Sequence, residues 1–285
     1  MTAPTPAAPP IPAATRVVCE QLAPTIADLA GNQRLVLETI ERDVAEGADV
    51  VVLPELVTSG YVFASVDEAR SVAMRRDDPF FAEVAALLEG TAAVAIFGFC
   101  EQSDGAELFN SAAVVTAAGV ATVYRKVHLW DRETLVFTPG SAAPPVVDTP
   151  HGSIGVLVCY DLEFPEMPRS VAVRGADLIA VPTNWPITDV PSGERAPEVI
   201  HAQSSARVNG VFIACCDRSG VERGQHWTEG TVIVDQFGWP IDSVSGTARA
   251  TADVFLGLAR DKSISPHNDL LADRRPDVYG TGEGR

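Results

Sequence analysis

The chain has 285 residues, 46% of them hydrophobic, enough for one large core or two small ones and unlike a disordered polymer. Its 38 acidic residues against 21 basic ones leave a formal charge of −17 without any cluster of Lys and Arg, which argues against a nucleic-acid groove or an anionic membrane surface as partner. No run of about eighteen apolar residues exists, so no transmembrane helix is predicted.

Residues 1–14, MTAPTPAAPPIPAA, are rich in Pro and Ala without a basic start or a continuous apolar stretch, and predict a flexible tail rather than a signal peptide. Residues 16–22 predict a strand. Asn32 then caps a helix with the apolar face Val36, Ile40 and Val44, stopped by Gly47. Residues 49–53 follow as a buried strand. Further strands are expected at 94–99, 111–116 and 120–125, the last two joined by a turn at 117–119. A strand at 154–159 leads to a helix opened by Pro165 and closed by Gly175, then to a strand at 178–181. A helix over 196–208 precedes the strand 211–216. Recurring β-α-β units predict a layered α/β protein whose middle is more β-rich than a doubly wound sheet. We expect one domain over residues 15–262, with 263–285 as a C-terminal extension that is either flexible or part of an interface. The five cysteines, Cys19, Cys100, Cys159, Cys215 and Cys216, are odd in number and widely spread, mostly in apolar runs. That pattern predicts reduced thiols in a cytoplasm rather than disulfides.

Three of these strands end on a chemically distinctive residue. Glu55 follows the apolar run 50–54, Lys126 follows 120–125, and Cys159 closes 154–158. Each alone is accounted for by a loop start or a packed core thiol. Together they supply a nucleophile, a base for its proton and a cation for an oxyanion, at the sheet edge where α/β proteins place ligands. Backbone N–H groups after the cysteine, beginning with Tyr160, would add donors.

The segments Leu53-Pro54-Glu55-Leu56, Tyr124-Arg125-Lys126-Val127-His128-Leu129 and Val158-Cys159-Tyr160-Asp161 with Phe164-Pro165-Glu166, in this order, resemble the nitrilase superfamily of carbon–nitrogen hydrolases. The resemblance implies an α/β fold of the four-layer αββα sandwich type, with Glu55, Lys126 and Cys159 as the catalytic set and Glu133 orienting the substrate amide. It also implies an amidase that needs no cofactor and no metal, acts on a small-molecule amide, and pairs into a homodimer or larger homo-oligomer through the helix after the nucleophile and the C-terminal segment. Thr138-Pro139-Gly140 fits the family and equally fits an ordinary turn. Trp185 and Tyr61 are candidates for the walls of the substrate site, and Tyr160 for substrate binding.

The alternatives differ in substrate or class. An N-carbamoyl hydrolase would use the same four residues. A nitrilase is less consistent with Tyr160-Asp161 after the cysteine, and a silent scaffold less consistent with an intact set. A papain-like hydrolase would need His201 or His226 as base. The five histidines show no zinc-type spacing.

Overall fold

The computed structural model describes residues 14–244 and 248–279. The predicted tail, except Ala14, and the last six residues of the predicted C-terminal extension lie outside them. The strands are β1 Thr15–Glu20, β2 Val50–Val52, β3 Val94–Gln102, β4 Leu108–Thr116, β5 Gly119–Arg125, β6 Val146–Thr149, β7 Gly152–Val156, β8 Leu178–Pro182 and β9 Phe212–Cys216. A small hairpin of β10 Val221–Glu222 and β11 Gln225–His226 follows, then β12 Val232–Val234, β13 Pro240–Ser243 and β14 Arg249–Val254. The helices that matter for the core and the site are α1 Leu29–Ala45, α2 Val66–Ser71, α3 Pro79–Leu87, α4 Glu166–Ala172 and α5 Pro197–Asn209.

Two six-stranded sheets form, in the orders β14-β1-β2-β3-β4-β5 and β13-β12-β9-β8-β7-β6. Side-chain alternation along each strand sorts the core into layers. In the first sheet Val17, Cys19, Val50, Val52, Val94 and Ile96 share one apolar core with the second sheet. Their neighbours Val18, Val51, Leu53, Ala95 and Phe97 pack instead on Val36 and Ile40 of α1 and Phe80, Phe81 and Val84 of α3. On the far side, Val171 of α4 and Val199, Ala202 and Ala206 of α5 cover the second sheet. The result is the expected αββα sandwich, with central strands buried on both faces as parallel pairing requires. No helix among the described residues is long and apolar enough to cross a membrane.

Two local expectations are corrected. The first helix is capped by Asp28, whose side chain accepts from Gly31 N at 3.0 Å. Asn32 is buried inside the helix instead, bonding Thr25 N and O and Thr58 O, because its amide can satisfy a loop from both sides. The strand predicted at 154–159 pairs only through Val156, and Cys159 starts a five-residue 3-10 turn, Cys159–Glu163, with a left-handed φ of 46°. A positive φ on a β-carbon-bearing residue ends the strand and raises the side chain out of its plane.

β1, β2 and β3 are mutually parallel, and β5 runs the same way two antiparallel steps further on. β7, β8 and β9 are parallel in the other sheet. The loops after β2 and β5, and those after β7 and β8, therefore gather at the carboxyl ends of their strands.

Candidate active site

Lys126, immediately after β5, is completely buried and its Nζ lies 2.7 Å from Glu55 Oε1 and 2.7 Å from Glu133 Oε1. Asn110 on β4 fixes both partners: its Nδ2 donates to Glu55 Oε1 at 2.7 Å, and its carbonyl accepts from Lys126 N at 2.8 Å. Tyr61 OH donates to Glu133 Oε1 at 2.5 Å. Glu55 is also held through its main chain, where Asn184 Nδ2 donates to its carbonyl at 2.8 Å. The same Asn184 presents its carbonyl 3.9 Å from Cys159 Sγ. Asn184 thus ties the thiol to the carboxylate across the two sheets. Glu55 Oε2 is buried without a partner among the described residues, an open acceptor on the residue expected to take a proton.

The turn bearing Cys159 is locked by Asp161. Its carboxylate accepts from Tyr124 OH at 2.8 Å, from His128 N at 3.0 Å and from Val158 N at 3.3 Å, with His128 Nδ1 at 2.8 Å. Leu56, Asp131 and Cys159, each in or next to a segment carrying a site residue, have φ of 48°, 42° and 46°. Such backbone costs about 1–3 kcal/mol per residue and persists only where surrounding contacts impose it.

A cavity of about 90 Å³ opens beside Glu133, walled by Tyr61, Phe63, Phe137, Pro186 and Trp227 and edged by Trp130. The Tyr61 and Trp227 rings meet edge to face at 5.4 Å.

The carbon–nitrogen hydrolase family model matches residues 16–254. The chain belongs to the carbon–nitrogen hydrolase family. Its relatives include a protein named nitrilase from Pyrococcus abyssi, 33% identical over 93% of this chain and 98% of its own. An (R)-stereoselective amidase from a Pseudomonas species is 30% identical over 90% of this chain and 89% of its own. An amidase from Nesterenkonia sp. AN1 shares 25% identity with a TM-score of 0.74, over 93% of this chain and 98% of its own. A variant of that amidase, at 25% identity and a TM-score of 0.70 over 85% of this chain and 95% of its own, shows acrylamide added to its active-site cysteine. This hydrolase is therefore an enzyme of carbon–nitrogen bond cleavage in the nitrilase superfamily.

Electrostatics in the hydrolase follow from burial. Burial pushes Glu55 up to about 7, the Glu133 charge adding to the rise while Lys126 and Asn110 oppose it. Burial works against the Lys126 ammonium, but Glu133 and Glu55 outweigh it and hold the group protonated well above its usual range. The Cys159 thiol is raised well above its ordinary value, by burial first and then by Glu55, with only Lys126 among the charges pulling down. The ammonium does not offset burial and Glu55 at the thiol, because two carboxylates already neutralise it. The proton stays on sulfur until a base removes it.

Of the residues expected at the substrate, Tyr61 lines the cavity. Trp185 does not; it is 2% exposed in the inter-sheet core, its backbone N–H given to Asp217 Oδ1 at 3.0 Å, and the next residue, Pro186, is part of the wall. Tyr160 packs its ring on Trp130 at 4.8 Å and Phe164 at 4.9 Å, outside the cavity lining. His201 and His226 are exposed and are not among the charges acting on Cys159, which are Glu55, Lys126 and Glu133, so neither takes the place of a papain-like base. Arg169, on α4, reaches Val208 O and Leu270 O. Sequence reasoning missed Asn110, Asn184 and Trp227. The first had a signal, an amide amid the apolar run of β4; the other two lie in loops whose geometry no pattern conveys.

Proposed function

We propose that this hydrolase is an amidase for small neutral carboxamides, with Cys159 as nucleophile. The observation that carries this reading is Lys126, wholly buried between Glu55 and Glu133 and linked through Asn184 to the turn of Cys159. Sγ attacks the carbonyl carbon as Glu55 takes the thiol proton. The Lys126 ammonium and the Tyr160 backbone N–H, among the first donors of the 3-10 turn, receive the oxyanion. Collapse breaks the C–N bond, Glu55 returns its proton to nitrogen, and ammonia leaves a thioester on Cys159. Glu55 then deprotonates a water that attacks the thioester, releasing the carboxylic acid and restoring the thiol. Glu133, held by Tyr61 and Lys126, orients the amide. The scheme calls on no metal or organic cofactor.

We assign the acyl group to the cavity of about 90 Å³ that meets the catalytic set at Glu133, a size that suits a few heavy atoms. Charge near the site supports neutral substrates over carboxylated ones. Leu162 and Glu163, three and four residues after the nucleophile, stand where carbamoylases of amino acids are expected to place an arginine for the substrate carboxylate; Glu163 is half-buried and lines the groove beside α4 and α5. Arg218, a candidate cation for an ω-carboxylate, is committed to Glu222 at 2.8 Å and to Pro24 O at 3.0 Å, and Arg195 is exposed. Ammonia release across aliphatic amides, ω-amides, N-carbamoyl amino acids and nitriles, with product masses, tests the reading. Short neutral amides should give the highest kcat/KM; an N-carbamoyl amino acid or a nitrile equal to them would overturn it.

The proposal includes a homodimer or larger closed oligomer. Supporting it is a groove of about 630 Å³ between α4, α5 and the C-terminal segment, lined by Pro165, Arg169, Val208 and Leu270. The cytoplasm is the proposed location, consistent with five buried free cysteines.

A further inference from the structure

Trp227 is 3% exposed and forms one wall of the cavity beside Glu133, yet its indole Nε1 is buried without any acceptor among the described residues. Buried donors are nearly always paired, so an unpaired one on the wall of this cavity of about 90 Å³ marks a place for an acceptor from outside the protein. The ring has no freedom to seek a partner. Tyr61 packs its edge against it at 5.4 Å, and the Arg218 guanidinium lies 4.7 Å from the ring centroid on a face. Arg218 is itself pinned by Glu222, which also accepts from Tyr61 N at 2.8 Å and Val62 N at 2.6 Å. On the backbone, Thr228 N bonds Trp185 O at 2.8 Å. Glu133, the carboxylate on the same cavity, is engaged by Lys126, Tyr61 and Trp130 N. A cation over the π-face draws electron density from the indole and sharpens its N–H as a donor.

We infer that Trp227 is a specificity-determining residue of this site, donating its Nε1–H to a neutral oxygen on the substrate's acyl group. The inference rests on the amidase reading above and narrows it to short carboxamides carrying a hydroxyl, ether or keto oxygen. A carboxylate is disfavoured, because Glu133 and Asp131 outnumber Arg132 around the same cavity. An alkyl analogue leaves the donor unpaired, and discrimination from one such bond is about tenfold to a hundredfold.

The test compares isosteric pairs that place the oxygen differently: lactamide with isobutyramide, methoxyacetamide with butyramide, and 3-hydroxypropanamide with butyramide. Each is assayed with the wild type and with Trp227→Phe, which keeps a ring and removes the donor. In at least one pair the oxygenated amide should lead in the wild type, and its kcat/KM ratio to the alkyl partner should fall about tenfold in Trp227→Phe; intrinsic reactivity cancels between the two proteins. Ratios that agree within about twofold in all pairs would overturn the inference while leaving the amidase reading intact. Failure of the wild type to hydrolyse any of these amides would overturn both. Should Trp227→Phe fold poorly, binding to Cys159→Ala labelled with indole-15N tryptophan decides the matter. The assigned Trp227 resonance should move downfield with an oxygenated amide and not with its alkyl partner; equal movement with both members of every pair contradicts the proposal.

Discussion

Lys126 carries a charge that is fully out of water, which is tolerable only because two carboxylates meet it at 2.7 Å each. Its proposed task is performed in the transition state, so Lys126→Ala should lower kcat by about 10²-fold or more with little change in KM, as read from steady-state ammonia release. A loss confined to KM would reduce Lys126 to a binding group. Glu55, pushed up to about 7 by burial, must be ionised to accept the thiol proton. The sign is therefore fixed: kcat/KM falls as pH drops through about 7, and removing the Lys126 charge, which holds Glu55 down, should move that limb to higher pH. A pH–rate profile of the wild type that is flat between pH 6 and about 8 would contradict the assignment of Glu55 as base.

At the scale of elements, the site depends on close approach between β3 and the loop after β2. A β-carbon at Gly98 would stand 2.3 Å from Leu56 N and 2.5 Å from Glu55 Cα, backbone atoms that cannot swing aside. Gly98→Ala should therefore displace Glu55, cutting kcat/KM at least tenfold and lowering stability by about 1–3 kcal/mol, measured by kinetics and urea unfolding. Activity and midpoint equal to wild type would mean the loop yields freely. Gly140 is constrained in the same way by Arg125 O at 2.2 Å, which explains why a glycine follows Thr138-Pro139. The strands that carry Glu55 and Lys126 were legible because each is an apolar run ending at a polar residue. The helix cap was misread because Asp28 and Asn32 are both good caps and only tertiary contacts to Thr25 and Thr58 separate them. β14 was invisible: it pairs with β1 across more than two hundred residues, and its moderate alternation gives no local sign of that. Cys159 itself was found, but its left-handed backbone was not, since no sequence period encodes a strained turn.

Across the whole molecule, buried carboxyls set how stability varies with pH. Glu20 and Glu55 are each pushed up to about 7 from a reference of 4.5, burial being the main cause in both. Between those values the folded protein retains protons that the unfolded chain has released, so their stabilising contribution is present at low pH and lost as pH rises through about 7. Glu68, held down to about 2 chiefly by its bond with Arg223, acts oppositely but only below about 4.5. Thermal melts should thus give a higher Tm near pH 5.5 than at pH 8, with a smaller difference in Glu55→Gln. An unchanged or rising Tm over that interval would contradict this balance.

The central claim is that Cys159 forms the covalent intermediate, and it is tested most directly by ammonia release from butyramide by the wild type and Cys159→Ala, with circular dichroism establishing that both are folded. Exchanging a buried thiol for a methyl group removes little packing, so we predict native spectra for both proteins and turnover for the wild type alone. Substantial amide hydrolysis by folded Cys159→Ala would contradict the account.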